Sequence, residues 1–332
     1  MPAVRRRALP AFRRSPWLAL SIALWLGGCQ GRAPAVAPVP AAKAERASMR
    51  PVAMHPADGN TFAVIGDYGL AGPGEAGVAA LVQSWRPDFV ITTGDNNYPH
   101  GADATFEANV AQYFAPWIAF GPGYQGPHRA RGRAADDQRF WPVLGNHDWH
   151  VPGARDSLGQ YRLPGHGRYY TMRRGPVQFF MLDSDRREPD GTDADSAQAR
   201  WLGDAMRASD APLKVVVFHH PPYSLGYHGS AEWMRWPFAA WGASLVLSGH
   251  NHDYERHTVG GLPYVVNGIG GANLHQLAGD CALDGSERPV CVSNLYGAMR
   301  ASLLPGEPAA LEFVGAAAGG AEFDRFVVRS RP

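Results

Sequence analysis

Five separate hydrophobic runs in this 332-residue chain each end in a residue that binds metal ions or contacts oxyanions. Short runs rich in Val, Ile, Leu and Phe and closed by glycine are typical of buried strands. Because ligands of open α/β sheets gather at the carboxyl ends of strands, we expect these residues to meet at one site. The run endings are Asp67, Asp95, Asn146, His219, and His250 together with His252.

The predicted secondary structure alternates between short strands and helices from Asn60 onward. The later strands are joined by turns such as Gly175-Pro176, which favours antiparallel pairing. We therefore expect an α/β (α+β) fold, with two mixed β-sheets packed face to face, helices outside, and one domain over residues 59–332. Helices are predicted over 74–85, 105–118, 196–207 and 231–241, with Asp195 as the N-cap of the third.

The N-terminal segment 1–28 has the composition of a secretion signal. Five arginines precede the apolar stretch 17–26, and the segment contains no acidic residue. That stretch is about ten residues long, roughly half of what a transmembrane helix needs, so a retained membrane span is not expected. Leu26-Gly27-Gly28-Cys29 resembles the lipobox of bacterial lipoproteins, in which the cysteine becomes the lipidated first residue of the mature chain.

An ordinary signal peptide, with Cys29 incidental, is the alternative, and the sequence leaves the general secretory and twin-arginine export routes open. With lipidation, we expect an exported protein anchored at the periplasmic side of a membrane, with Gln30 favouring the outer membrane. The lipid on Cys29 would then be the membrane contact. Residues 29–58, rich in Ala and Pro, are predicted to form a flexible tether.

Removal of residues 1–28 changes the formal charge from +1 to −4, because 26 basic and 30 acidic residues remain. The mature chain has no run of Lys and Arg, so nucleic-acid binding is not expected. Once Cys29 is assigned to lipid, Cys281 and Cys291 are the remaining thiols, and an exported chain meets an oxidising compartment. We expect a disulfide between them, while the oligomeric state stays open.

Five motifs between Phe62 and Gly270 resemble, in order, those of the purple acid phosphatases within the calcineurin-like metallophosphoesterases. Any one of them is weakly specific, whereas five in the family's order are strongly so. The resemblance implies a four-layer sandwich of two mixed sheets with helices outside. The motifs are Asp67-Tyr68-Gly69, Gly94-Asp95-Asn96-Asn97-Tyr98, Gly145-Asn146-His147-Asp148, Val216-Val217-Phe218-His219 and Gly249-His250-Asn251-His252.

The resemblance also implies a binuclear metal centre. Gly69 stands where many relatives have a ligating His, and Tyr98 stands where they have Asp. A phenolate is a hard anionic donor, so Tyr98 favours Fe(III) beside a divalent Fe, Zn or Mn ion. The implied ligands are Asp67, Asp95, Tyr98 and His252 for the iron(III), and the bridging Asp95 with Asn146, His219 and His250 for the divalent ion.

Three histidines are candidate proton donors to the leaving group: His147 and His228, which resemble outer-sphere histidines of the family, and His220. The segment 216–220 fits the family's V-x-x-H pattern with either His219 or His220 as the ligand. Pro221 favours His219, because the family reads His-x-Pro. His150 and His166 match no motif position and are expected to lie outside the site.

The reaction implied by the resemblance is that of an acid phosphatase, in which a metal-bound hydroxide attacks a small-molecule phosphomonoester. A phosphodiesterase or nucleotidase with the same metal site is one alternative. A catalytically idle, phosphate-binding surface lipoprotein is another, although the complete ligand set argues against it. The sequence determines neither the substrate nor the second metal.

Overall fold

The computed structural model describes residues 61–132, 137–277, 281–283 and 285–330. The predicted signal 1–28, with the tether 29–58 and its Cys29, lies outside the described residues. Within the described part, no helix is both long and apolar enough to cross a membrane.

The described strands form two mixed sheets. In chain order they are β1 (Thr61–Ile65), β2 (Phe89–Thr92), β3 (Phe140–Trp141), β4 (Tyr170–Arg174), β5 (Val177–Met181), β6 (Leu213–Val217), β7 (Leu245–Ser248), β8 (Tyr254–Val259), β9 (Leu262–Asn267), β10 (Ser286–Val292), β11 (Gly297–Leu304), β12 (Glu307–Ala317) and β13 (Glu322–Arg329). The six-stranded sheet has the order β13-β12-β11-β1-β2-β3, and the seven-stranded sheet β10-β8-β9-β7-β6-β5-β4. In the first sheet the parallel strands β1-β2-β3 lie at one end, and β11, β12 and β13 continue the sheet with antiparallel pairing. In the second sheet the parallel strands β9-β7-β6-β5 lie in the middle, with antiparallel strands on both sides.

Side chains of β1 alternate between two apolar layers, as the period of a strand requires. Phe62 and Val64 belong to the core between the sheets, where the ring of Phe62 meets that of Phe179 edge-on at 5.3 Å. Ala63 and Ile65 face the helical layer outside the first sheet. Because both faces of the sheet are covered, the strand is hydrophobic along its whole length. The predicted sandwich of two mixed sheets with outer helices is confirmed.

Two predicted helices are present close to their expected bounds. The segment 74–85 is α1 (Pro73–Trp85), which packs outside the first sheet, and 196–207 is α5 (Ala197–Ala208), which packs outside the second. The N-cap of α5 is Ser196 rather than Asp195, since the Ser196 hydroxyl accepts a 3.0 Å hydrogen bond from the N–H of Ala199.

The other two helix predictions need correction. The segment 105–118 is a run of short helical turns: α2 (Asp103–Phe106), a π-helical turn (Glu107–Ala111), α3 (Gln112–Phe114) and a 3₁₀ turn (Ala115–Trp117). The helix predicted over 231–241 is wrong, because only the 3₁₀ turn Glu232–Met234 forms there. Pro237 lies in the middle of that segment, lacks an N–H and disfavours the helical conformation of Trp236. A short helix that the sequence did not predict is α4 (Arg155–Gln160).

The predicted disulfide between Cys281 and Cys291 is confirmed. It joins the chain just ahead of β10 to the carboxyl end of that strand, at the edge of the second sheet.

Candidate metal centre

The five run endings lie at the carboxyl ends of parallel strands from both sheets. Asp67, Asp95 and Asn146 follow β1, β2 and β3, while His219 and His250 follow β6 and β7. Strands β1, β2 and β3 are parallel to one another, as are β6 and β7, so each set ends at one edge of its sheet. Contacts between the two sets follow directly, since the N–H of His250 donates to both Asp67 oxygens at 3.0 and 3.1 Å.

Three of these residues have the left-handed backbone conformation, which residues other than glycine rarely adopt. Asp67, Asp95 and His250 have φ angles of 53°, 50° and 71°, and they are half of the six non-glycine residues with positive φ in the described part of the chain. Left-handed conformations at non-glycine residues cluster at functional sites, where the surrounding structure holds them. Here each turns its side chain sharply off the end of a strand toward the centre.

Two glycines allow the strand ends to approach closely. A Cβ atom at Gly145 would overlap the carboxylate of Asp95, and a Cβ atom at Gly249 would overlap that of Asp67. Each glycine immediately precedes a predicted ligand. The glycine that closes these hydrophobic runs is therefore a packing requirement of the site.

The first predicted ligand group has Tyr98 at its middle. The phenolic oxygen of Tyr98 lies 3.1 Å from Asp95 Oδ2 and 3.1 Å from His252 Nε2. Asp67 Oδ1 is 3.4 Å from the Tyr98 oxygen and 3.4 Å from His252 Nε2. Four donor atoms from three loops therefore surround one point.

The second group is built around His219. Its Nε2 lies 3.4 Å from Asp95 Oδ2, 3.0 Å from Asn146 Oδ1 and 3.2 Å from His250 Nδ1. Asp95 Oδ2 thus borders both groups, as a bridging carboxylate would. Of the two histidines that the sequence left open, His219 has the ring nitrogen within 3.4 Å of these donors, while a ring nitrogen of His220 lies within 4.8 Å of those of His219 and His250.

The protonation of the ring nitrogens indicates that a cation belongs between these groups. His219 Nδ1 lies 2.9 Å from the carbonyl oxygen of Thr93, and His252 Nδ1 contacts that of Asn273. A carbonyl only accepts, so each Nδ1 carries a proton, and each Nε2 faces carboxylate oxygens with either a second proton or its lone pair. A lone pair and a carboxylate repel each other, so a proton or a metal ion has to lie between them.

Donor spacing fits the same conclusion. Metal–oxygen and metal–nitrogen bonds of about 2.0–2.2 Å place neighbouring ligands of one ion about 3.0–3.5 Å apart. The donor pairs of the two groups are separated by 3.0 to 3.4 Å. The residues present therefore fit two metal ions that share Asp95.

Without a cation, protons have to offset the acidic groups. Burial lowers the pKa of His219, but the Asp95 and Asp67 carboxylates outweigh it and raise the pKa to about 10. Burial and the same carboxylates raise the pKa of Tyr98 well above its usual value. A phenolate at Tyr98 thus requires a bound cation to stabilise it.

His147 lies at the rim of the centre. Its backbone N–H donates to Asp95 Oδ1 at 2.8 Å, its Nδ1 lies 2.7 Å from the carbonyl of Pro99, and its Nε2 is 3.9 Å from Asp95 Oδ2. The Pro99 carbonyl fixes the ring, so Nε2 points toward the centre without entering the donor groups. This is the position of an outer-sphere group.

His228 and His220 lie beside the ligand His250. Their ring centroids are each 4.4 Å from that of His250. The Ser184 hydroxyl accepts from the N–H groups of His219 and His220 at 3.2 and 2.9 Å, so its own proton is directed at His220 Nδ1, 2.9 Å away. Burial and His219 lower the pKa of His220 to about 3, so the ring is neutral and carries its proton on Nε2.

Two histidines near the centre escaped prediction. His275 stacks on the ligand His252 at 4.2 Å, and its N–H donates to the carbonyl of His252 at 3.0 Å. The sequence held a signal for it, because His275 follows the carboxyl end of β9, a strand parallel to β7. His150, expected to lie outside the site, has its ring 4.9 Å from that of His147 at the exposed rim. His166 packs on Tyr169 instead.

Buried polar side chains hold the loops that carry the predicted ligands. The Asn96 amide donates to Asp148 Oδ2 at 2.8 Å, and Asp148 also accepts from the N–H of Gly145. Asn109, in the π-helical turn, donates to the carbonyl of Tyr98 at 2.7 Å. Asp183 accepts from the indole of Trp149 at 2.9 Å, behind the turn that carries His147.

Comparison with known proteins agrees with this geometry. The sequence profile described as "Calcineurin-like phosphoesterase" matches residues 61–254, which include all seven predicted metal ligands. The chain belongs to this family, whose name describes enzymes that cleave phosphoesters.

The chain is similar to Purple acid phosphatase 17 of Arabidopsis thaliana, with 27% identity over 223 residues, 58% of this chain and 62% of that protein. It is 23% identical to the Tartrate-resistant acid phosphatase type 5 of Mus musculus over 225 residues, 58% of this chain and 64% of that protein. The match thus spans less than two thirds of the length of either relative.

Among solved structures, the fold is similar to that in "GAP50 the anchor in the inner membrane complex of Plasmodium", with a TM-score of 0.60 and 15% identity over 82% of this chain and 89% of that one. It is also similar to "Structure of PhoD", with a TM-score of 0.51 and 12% identity over 85% of this chain and 71% of that one. At these identities the similarity is one of fold.

Proposed function

We propose that this protein is a binuclear metallohydrolase that acts on phosphomonoesters. The observation that carries the proposal is the convergence of two donor groups at 3.0 to 3.4 Å, with the Nε2 atoms of His219 and His252 facing carboxylate oxygens. Membership of the calcineurin-like phosphoesterases and similarity to two acid phosphatases support the same class of reaction.

The residues that would hold the first ion are Asp67, Asp95, Tyr98 and His252, and those for the second are Asp95, Asn146, His219 and His250. Tyr98 favours Fe(III) in the first position, and Fe, Zn or Mn suits the nitrogen and oxygen donors of the second. When bound, such ions lower the pKa of a coordinated water and withdraw electron density from phosphoryl oxygens. This chemistry requires no nucleophilic side chain.

The chain's own residues orient the substrate and move the proton. His147, held through Nδ1 by Pro99, presents Nε2 at the open rim, where a protonated ring can donate to the leaving oxygen. His220, with its Nε2 proton fixed by Ser184, acts as a neutral hydrogen-bond donor rather than as an acid. His228 covers one face of the His250 ring and shields it from solvent.

A test combines metal analysis with a substrate panel. We expect purified protein to contain about two metal ions per chain and to hydrolyse phenyl phosphate faster than a bis-aryl phosphodiester. Asp95→Asn should lose metal and activity together, because Asp95 borders both donor groups. Asp204→Asn, which changes an exposed carboxylate on α5, is the matched control and should retain both.

The alternatives predict different results. Faster hydrolysis of the diester would favour a phosphodiesterase with the same centre. Full metal content without hydrolysis of either ester would favour a binding protein. GAP50 of Plasmodium, which has a similar fold, is named as an anchor in the inner membrane complex, so the substrate panel has to distinguish an enzyme from a binding protein.

We also propose export and lipid anchoring through Cys29. The support is the arginine-rich segment that leads into Leu26-Gly27-Gly28-Cys29. Wild-type protein should partition with membranes in a bacterial host, whereas Cys29→Ser should accumulate unprocessed or in the soluble fraction. A wholly soluble wild type with an unmodified N-terminus would refute the anchor.

A further inference from the structure

Three aromatic side chains form a rim on one side of the candidate centre: Tyr227, His228 and His275. None of them belongs to the two donor groups. Tyr227 is 74% exposed, which makes it the most exposed Phe, Tyr or Trp residue in the described part of the chain. An exposed ring beside a buried polar site is available to contact a ligand, since ligand sites are commonly lined by aromatic side chains.

Ring contacts connect this rim to the metal ligands. His275 lies parallel to the ring of His252, with 4.2 Å between centroids and 2° between planes. Tyr227 lies 5.1 Å from His275 and 5.0 Å from His228, while His228 stacks on His250. His275 therefore lies between Tyr227 and the ligand His252, and His228 lies between Tyr227 and the ligand His250. The rings of Tyr227 and His275 are tilted by 47° relative to each other, so the rim has two aromatic faces at an angle.

The loop that carries Tyr227 is fixed by buried groups. Glu255 accepts from the N–H groups of Leu225 and Gly226 at 2.7 and 3.1 Å. Asn251, located between the ligands His250 and His252, accepts from the N–H of His228 at 2.7 Å. The backbone on both sides of Tyr227 is thus held by residues close to the donor groups. The ring is presented at the rim in advance of binding, which lowers the entropic cost of binding.

The exposed side chains of Tyr227 and His228 lie on one outward side of the centre, beside the half-buried His250. His219, Asp95 and Asp67 close the inner side because they are fully buried, so the leaving group of a bound phosphomonoester extends outward. An aromatic leaving group that extends past the rim can pack against the rings of His275 and Tyr227, since aromatic rings prefer stacked or edge-on contacts with one another. An aliphatic leaving group gains less from the same rings.

We infer that Tyr227, together with His275, determines specificity for phosphomonoesters whose leaving group carries a planar aromatic ring. The inference rests on the proposed function and adds the substrate class to it. The shared chemistry is the aromatic ring, which either a phenolic ester or a nucleoside monophosphate supplies.

The test compares kcat/KM for phenyl phosphate and propyl phosphate in the metal-loaded protein. Phenyl phosphate is intrinsically more reactive, but this difference cancels when the ratio of the two substrates is compared between variants. Tyr227→Ala should lower the phenyl-to-propyl ratio by about threefold to tenfold, the usual range for one aromatic contact. Tyr227→Phe should keep the wild-type ratio, because it keeps the ring.

Val327→Ala is the matched control, since Val327 is the other exposed large apolar side chain among the described residues and lies on β13, the outermost strand of the first sheet. It should leave the ratio unchanged. Adenosine 5′-monophosphate is a third substrate in the same comparison. If Tyr227→Ala lowers kcat/KM for adenosine 5′-monophosphate alone, the rim binds nucleosides. If it lowers kcat/KM for phenyl phosphate alone, the rim binds phenolic leaving groups.

Binding gives a readout that needs no turnover. By isothermal titration, phenylphosphonate should bind wild type about threefold to tenfold more tightly than propylphosphonate, and Tyr227→Ala should remove this preference. If Tyr227→Ala changes both substrates and both phosphonates equally, the inference is overturned while the proposed function stands. If metal-loaded wild type hydrolyses no phosphomonoester yet keeps the phosphonate preference, the proposed function fails and the aromatic rim remains.

Discussion

Glu75, in the first turn of α1, is a buried acid that the metal chemistry does not use. Its side chain is fully buried, and neither carboxylate oxygen has a hydrogen-bond partner within 3.5 Å among the described residues, although the backbone of Leu70 lies near the carboxylate. Burial raises the pKa of the Glu75 carboxyl from 4.5 to about 10, a rise that the backbone of Leu70 opposes only partly. The carboxyl is therefore protonated in the folded protein at neutral pH, whereas in the unfolded chain it is ionised.

This difference makes folding stability fall as pH rises. Below the unfolded pKa of 4.5 the Glu75 carboxyl is protonated in both states, so it does not change the free energy of unfolding with pH. Above 4.5 the free energy of unfolding decreases steadily until the pH reaches the folded pKa of about 10. Between those limits the unfolded state binds one proton fewer, so the free energy of unfolding decreases by about 1.4 kcal/mol per pH unit. From about pH 5 to about pH 7 the expected loss in the free energy of unfolding is about 2–3 kcal/mol.

Glu75→Gln removes this titration and keeps the shape of the side chain. The amide has a fixed desolvation cost of its own, so the informative quantity is the change with pH. Relative to wild type, the variant should gain about 2–3 kcal/mol in the free energy of unfolding between about pH 5 and about pH 7, measured by urea denaturation. Both proteins keep the same metal ligands, so pH effects at the centre cancel in the difference.

Glu287→Gln, at an exposed position on β10, is the control and should follow the wild-type pH dependence. A constant difference between Glu75→Gln and wild type across this pH range would refute the reasoning, because it would mean that Glu75 is ionised in the folded state.

Three further predictions concern the centre itself. A phenolate bound to Fe(III) absorbs visible light, so aerobically purified wild type should be violet to purple, and Tyr98→Phe should lose this band while its circular dichroism is retained. Iron-containing wild type without the band would argue for two divalent ions. His147→Ala should lower kcat by about 10² to 10⁴, the usual effect of losing a proton donor, and His228→Ala should slow turnover less. Both variants should keep their metals, because neither residue belongs to the donor groups. Metal loss from either variant would contradict that assignment. Ser184→Ala should lower the free energy of unfolding by about 1–3 kcal/mol, because two buried N–H groups lose their acceptor. A loss below about 0.5 kcal/mol would show that water replaces the hydroxyl.

The sequence by itself indicated the layers of the fold and the seven residues that form the two donor groups. Continuous apolar runs such as residues 62–65 require burial on both faces, and four of the five runs stop at a glycine followed by a polar ligand, whereas Phe218 precedes His219. Both signals are local in the chain, so they can be read without knowing which strands pair. The helix predicted over 231–241 was wrong because Pro237 prevents a continuous helix there, although the spacing of the aromatic residues is compatible with one.

Only the tertiary structure decided which groups surround the ligands. His275 and Tyr227 are separated by 48 positions, yet their rings meet because β7 and β9 are neighbours and the loops that follow β6 and β9 end on the same side of the sheet. Which ring nitrogen of His219 and of His220 carries a proton likewise depends on Thr93 and Ser184, which follow β2 and β5. Contacts across strand ends depend on strand pairing and twist, and these arise from the packing of the whole domain rather than from the residues beside each ligand.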